Sequence, residues 1–157
     1  MTSLLLRNLF FTIIQPGVVA GLIPYFIARK ELRNLLQQPF EYYQWIGLAF
    51  ILAGLMILLH CVYLFAKYGK GTLSPIDPTK KLVIRGMYRY SRNPMYLAML
   101  TMLLGETILL RSFNLGVYMF IIAIAFYLFV VFHEEPGLQS EFGYEYKAYR
   151  ERVRRWI

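Results

Sequence analysis

Residues 95–132 read MYLAMLTMLLGETILLRSFNLGVYMFIIAIAFYLFVVF, and this stretch decides the fold. Two apolar runs, 95–110 and 113–132, meet at the link Arg111-Ser112-Phe113-Asn114. A link that short between helices admits only a tight hairpin, so the two are predicted to pack antiparallel. The start of the first and the end of the second then share one end of the bundle. Two more apolar runs precede them, at about 8–28 and 42–66. A helix that crosses a bilayer needs about 20 mostly apolar residues. Three of the runs reach that length. The run 95–110 covers roughly 24 Å by helical rise, and it is expected to gain a turn from the polar residues ahead of it or to be partly re-entrant. The chain is 58% hydrophobic, against about 45–50% apolar in soluble domains. It is therefore read as all-α, an integral membrane helical bundle of about four to five spans with a cytoplasmic loop and a C-terminal amphipathic helix. Its 157 residues suit one domain, 1–157, with 66–157 as the region that carries the chemistry.

The first run has a signal-peptide look, with Arg7 ahead of it and Val18-Val19-Ala20 as a cleavage-like site. Pro16-Gly17 interrupts its apolar core, however, and it continues from Leu22 to Ala28 before Arg29-Lys30 stops it. A retained helix is expected. The net charge of +8 is explained by topology rather than by nucleic acid, which is not expected as a partner. With four spans, Arg7, the cations from Lys67 to Arg92, and those from Lys147 to Arg155 lie on one side. Only Arg29, Lys30, Arg33 and Arg111 lie on the other. The excess of positive charge in loops marks the cytoplasmic side, so both termini, the 67–94 loop and the site are predicted there, with some contact to anionic lipid. Cys61 is the single cysteine, which excludes an internal disulfide and a thiol metal cluster. It reads as a small apolar packing residue. His60 and His133 lack metal-ligand spacing, and no metal is expected.

Two polar motifs sit where apolar helices end. The first is Arg92-Asn93-Pro94-Met95-Tyr96 and the second is Glu134-Glu135-Pro136. Polar groups near membrane depth are costly and tend to be functional. Arg92 and Asn93 precede a proline and are biased to extended backbone, while Pro94 suits the first turn of a helix. Such a helix start is an anion site; the structural alternative is Asn93 as N-cap with Arg92 snorkelling to lipid phosphates. Adjacent carboxylates at a helix C-terminus repel each other and face the negative end of the helix dipole. Glu134-Glu135 therefore calls for a cation, supplied by Arg92 or by a positively charged ligand. His133 is either a proton acceptor or an ordinary interfacial histidine, and Glu106 is expected to pair locally with Arg111 or to serve as an interfacial group rather than as a site residue. Gly69-Lys70-Gly71 reads as a turn, since it lacks the context of a phosphate loop. Leu138, Phe142, Tyr146, Tyr149, Val153 and Trp156 recur at spacings of three and four. They mark an amphipathic helix that lies in the interface or packs on the 67–93 loop, and in either case covers the motifs.

The stretches GKGTLSPIDPTKKLVIRGMYRYSRNPMY (69–96) and HEEPGLQSEFGYEYKAYRERV (133–153) resemble membrane-embedded methyltransferases. The families are the isoprenylcysteine carboxyl methyltransferases and the phospholipid methyltransferases. The resemblance implies S-adenosylmethionine as methyl donor, held at the cytoplasmic face by membrane helices. It places Lys80, Lys81, Leu82 and Val83 on a segment that lines the cofactor site, and Tyr88 on a cofactor-contacting tyrosine. Asn93, Pro94, Met95 and Tyr96 fall on the His-Pro-x-Tyr element, and Glu134 on a cofactor-contacting glutamate. A cofactor carrying a sulfonium, an ammonium and a carboxylate needs carboxylates, aromatics and a cationic or N-terminal anion site together.

Prenylcysteine enzymes have histidine at the position of Asn93, commonly glycine at Ala98, and a substrate-holding arginine at the position of Val130. The Asn-Pro-Met-Tyr and Glu-Glu-Pro sequences are more similar to phosphatidylethanolamine methyltransferases. The expected function is therefore methyl transfer to a lipid or lipophilic small molecule, with a phospholipid amine favoured and Arg92 and Glu135 as the catalytic pair. A carboxyl O-methyltransferase for prenylcysteine, and a non-catalytic membrane scaffold or accessory subunit, are the alternatives.

Overall fold

The computed structural model describes residues 16–69 and 82–157. Among them the regular elements are all helical. In chain order they are α1 (Val18–Ile27), α2 (Arg29–Leu35), α3 (Tyr42–Leu64), α4 (Pro94–Leu110), α5 (Phe113–Phe129) and α6 (Glu135–Arg152). Wide helical turns at Phe65–Gly69 and Val130–Glu134 extend α3 and join α5 to α6. Among the described residues two helices are long and apolar enough to cross a membrane: α3, and the 40-residue continuous helix Phe113–Arg152. The first part of the first apolar run, 8–15, lies outside the described residues. The apolar part of the latter ends at Phe132. α1 and α4 are apolar but shorter.

The core of the bundle is the α3–α4 contact. α3 buries Gln44, Gly47, Gly54, Leu58, Cys61 and Leu64, one stripe along the helix, while Phe50, Leu55, Met56 and Leu59 face outward. A Cβ on Gly47 would lie 2.6 Å from the Leu109 amide nitrogen, and one on Gly54 would lie 2.7 Å from the Ala98 carbonyl oxygen. The backbones touch because neither helix has a side chain in the way. In lipid, where apolar burial gives no drive for helices to associate, such close contact is what holds them. The pairing of Gly47 with Leu109 and of Gly54 with Ala98 is antiparallel, so the end of α3 lies beside the start of α4.

The α4–α5 link is as tight as expected. Arg111 takes a left-handed conformation (φ 47°, ψ 38°) that ends α4, and α5 begins at Phe113. α4 starts at Pro94, one turn's worth of proline geometry replacing a helical N–H that would have had no partner. α1 bends at Ala20 (φ −108°, ψ 16°), and the Val19 carbonyl accepts a hydrogen bond from Tyr118 of α5 at 2.9 Å. The segment 29–41, whose polar sequence suits a short connection between apolar helices, contains the helix α2.

Two details differ from expectation. Glu106 does not pair with Arg111: the Arg111 guanidinium stacks on the Tyr43 ring at 5.0 Å, and Glu106 Oε2 is buried without a partner among the described residues. The helix after Pro136 is not uniform, because Gly143 (φ 48°, ψ −117°) sits in a conformation open only to glycine and bends it.

Candidate active site

The site is built where α3 and α5 end and α4 begins. The chain approaches it through the irregular segment Leu82–Ile84, whose side chains divide between two clusters. Val83 joins Cys61, Leu64 and Tyr88 against the end of α3. Leu82 and Ile84 pack on Tyr146, Tyr149 and Val153 from the C-terminal helix and the residue after it. Of the two placements open to the aromatic stripe, packing on the loop is therefore the one observed. Gly86 follows with φ 56°, and a Cβ there would sit 2.6 Å from His60 Nε2. Glycine lets the 3-10 turn Gly86–Arg89 lie directly on α3. The turn buries Tyr88, which stacks edge-on with Phe65 at 5.3 Å. The Tyr149 hydroxyl donates to the Tyr88 carbonyl at 2.6 Å. Burial pushes the Tyr88 phenol well above its usual range, reinforced by Cys61 and Glu134, so Tyr88 stays neutral.

The two motifs meet. The Tyr96 hydroxyl donates to Glu134 Oε2 at 2.7 Å, and Tyr96 leans on Phe126 with ring centroids 4.7 Å apart. Arg92 Nη1 lies 3.0 Å from Glu135 Oε1, with side-chain exposures of 8% and 9% that make this a buried ion pair. The same Nη1 donates to the Tyr146 hydroxyl at 3.2 Å. Arg92 Nε is buried and has no partner among the described residues.

Glu135 has a second cation. Arg155 Nε donates to Oε1 at 2.8 Å and Arg155 Nη2 to Oε2 at 3.0 Å, a bidentate fork. Burial alone would push the Glu135 carboxyl up. Hydrogen bonds from Arg155 and the charges of Arg92, Arg155 and Arg150 outweigh it and hold the group below the usual carboxylate range. Glu135 is thus ionised at neutral pH, with both oxygens engaged.

Asn93 is not a side-chain cap for α4. Its Nδ2 donates instead to the Arg155 carbonyl at 2.9 Å. The site residues expected from sequence thus separate. Tyr88, Arg92, Asn93, Tyr96, Glu134 and Glu135 converge, whereas Leu82, Val83 and Met95 lie in the flanking apolar clusters and Pro94 is wholly buried at the helix start. Lys80 and Lys81, like Lys70 and Gly71 of the glycine-rich turn, lie outside the described residues. Sequence reasoning passed over Ser91, Tyr146 and Arg155. Tyr146 stood in the aromatic stripe, and Arg155 was one basic residue among many. At the other end of the bundle, Glu41, Tyr42, Tyr43, Ile108 and Arg111 line a cavity of about 310 Å³, remote from both motifs.

The family described as Phospholipid methyltransferase has a model that matches residues 42–145. That span starts with α3 and includes both motifs. A protein of Haemophilus influenzae described as "Uncharacterized protein" is 43% identical over 65 residues, which cover 40% of this chain and 100% of that protein. No solved structure matches significantly.

Proposed function

This chain belongs to the phospholipid methyltransferase family, and from that premise we propose that it transfers a methyl group from S-adenosylmethionine to the amine of a membrane phospholipid. The observation that carries the reading is the junction of the two motifs, with Tyr96 on Glu134 at 2.7 Å and Arg92 on Glu135 at 3.0 Å. The residues present fit the cofactor. Glu134 offers a carboxylate beside aromatic rings for a cationic ligand, and the orphaned Arg92 Nε is a buried donor that lacks an anionic acceptor. When bound, S-adenosylmethionine supplies an electrophilic methyl group for in-line displacement by a nucleophile.

The chain's own residues would position the reactants and exclude water. Glu134 and Tyr96 form the wall that receives positive charge. Glu135 is saturated by guanidinium groups, so its part is to hold Arg92 in place. Arg92 in turn presents Nε to a lipid phosphate or to the cofactor carboxylate. An ammonium substrate must give up a proton before it attacks. His133, exposed at the same end with its ring tilted against Phe129 at 5.1 Å, is an acceptor at this end not engaged by a guanidinium. Val130, at the position where a carboxylate-clamping arginine stands in the prenylcysteine enzymes, is an apolar residue and fully buried. This favours an amine over a prenylcysteine carboxylate.

Purified protein given labelled S-adenosylmethionine is expected to methylate phosphatidylethanolamine and not a farnesylated cysteine. Methyl-ester formation on the cysteine without transfer to the amine overturns the assignment, and no binding of the cofactor at millimolar concentration would point to a scaffold.

We also propose that the chain is a single domain of four to five spans, with 66–157 holding the site at the cytoplasmic face. The distribution of basic residues supports this orientation. Single cysteines introduced at Asn34 and Ser74 are expected to label from opposite sides of the membrane. Labelling of both from one side would refute the topology.

A further inference from the structure

Val153 leaves the helix for extended backbone (φ −122°, ψ 130°), and the next residues run alongside the first motif. The Arg92 amide donates to the Arg154 carbonyl at 3.0 Å. Asn93 Nδ2 and the Ser91 hydroxyl both reach the Arg155 carbonyl, at 2.9 and 3.4 Å. The Arg155 side chain meanwhile grips both oxygens of Glu135. One residue therefore holds the first motif by its backbone and the second by its guanidinium. It lies beyond residues 42–145, where the family match ends.

We propose that Arg155 is a positioning residue for methyl transfer: its fork fixes the Glu135 carboxylate, and Glu135 then aims Arg92 at the bound reactants. The proposal rests on the methyltransferase reading above. Its geometric basis is that Arg92 meets Glu135 through a single nitrogen, at 3.0 Å, which leaves the carboxylate free to rotate. Arg155 contributes two parallel hydrogen bonds that fix the carboxylate plane. The shared oxygen, Glu135 Oε1, is where the orientation set by one guanidinium passes to the other. At 31% side-chain exposure, and leaning on the Tyr127 ring at 5.8 Å, Arg155 sits at the rim, outside the pair it orients. A purely structural clasp would need only its backbone contacts.

The test compares Arg155→Ala, Arg155→Lys and Glu135→Gln, singly and combined, in the purified full chain. With phosphatidylethanolamine as substrate, Arg155→Ala should lower kcat by roughly tenfold to a hundredfold, the size of effect expected when a reacting group is misplaced by about 1 Å. KM for the methyl donor should change much less. Arg155→Lys, which keeps the charge and loses the fork, should recover only part of the rate. In the Glu135→Gln background, Arg155→Ala should cause no further loss. A readout independent of turnover is the acid-side midpoint of thermal stability. The groups facing Glu135 are Arg92 from the loop, Arg150 and Tyr146 from α6, Arg155, and Glu134 beside it. Without Arg155 that midpoint should move to higher pH, and removing Arg155 in the Glu135→Gln background should cause no such move. A lower melting temperature with unchanged kcat per folded molecule and unchanged acid midpoint would reduce Arg155 to a clasp and overturn the proposal. Wild-type protein that methylates no amine lipid would sink the proposed function instead. In that event an unmoved acid midpoint in Arg155→Ala still refutes the hold on Glu135, and a loss of methyl transfer by any role of Arg155 is refuted with the function.

Discussion

Glu135→Ala should destabilise the protein by about 3–5 kcal/mol, the cost of leaving one member of a buried ion pair without its counter-charge. Arg92 is the reason. Its side chain is 8% exposed, so water cannot replace the lost carboxylate, and the Tyr146 hydroxyl at 3.2 Å is a neutral acceptor. Arg92→Ala should cost less, because Glu135 keeps the bidentate Arg155. That asymmetry separates a three-member network from a simple pair. Denaturation of the purified variants in detergent measures it, and equal losses for the two substitutions would show that Arg155 contributes nothing to holding Glu135.

The same network sets an acid limit. The Glu135 carboxyl is lowered in the folded protein, through Arg155 and the neighbouring arginines acting against burial. The unfolded chain, with an ordinary glutamate value of about 4.3, then binds the proton more readily. The stability contributed by the ionised group is complete above that value. It is lost as the pH falls from there through the lower folded value. Glu135→Gln should remove this part of the acid sensitivity.

The hairpin was legible because a short link fixes the relative direction of two helices whatever their side chains do. From that alone followed the placement of the two motifs at one end of the bundle. Pro94 at the helix start was legible for a similar reason, since its ring fixes φ and removes an N–H that has no partner there. The α3–α4 seam was present in the sequence as Gly47 and Gly54 facing Ala98 and Gly105, but glycines in apolar runs reveal their use only once a partner backbone approaches. α2 was missed because charge suggested a linker, although Arg-Lys-Glu-Leu-Arg are all good helix formers. Asn93 illustrates a different limit. A cap is a local habit, and here a tertiary contact with the Arg155 carbonyl takes the side chain instead. Arg155 itself was not legible at all. Its partner lies 20 residues back, and only the bend at Gly143 and the extended turn at Val153 bring the two together.

Glu134→Gln should weaken S-adenosylmethionine binding at least tenfold, on the order of 1.4 kcal/mol, while leaving the fold intact. The substitution is nearly isosteric, and the new amide oxygen can still accept from the Tyr96 hydroxyl that now lies 2.7 Å away. What disappears is a negative charge in a partly buried place, where hydrogen bonds and ion contacts to charged groups are worth about 1.5–3 kcal/mol. The cofactor is the cationic partner proposed for that charge. Arg92 and Arg155 are already committed to Glu135, the neighbouring carboxylate. Tyr96→Phe supplies the counter-test. It removes the hydroxyl that orients Glu134 and keeps the charge, so its loss of affinity should be smaller than that of Glu134→Gln. Calorimetric titration of both variants, with thermal unfolding as the control for folding, decides between them. Wild-type affinity in Glu134→Gln would take Glu134 out of the site. A larger loss in Tyr96→Phe than in Glu134→Gln would move the recognition of the cofactor from the carboxylate to the Tyr96 hydroxyl.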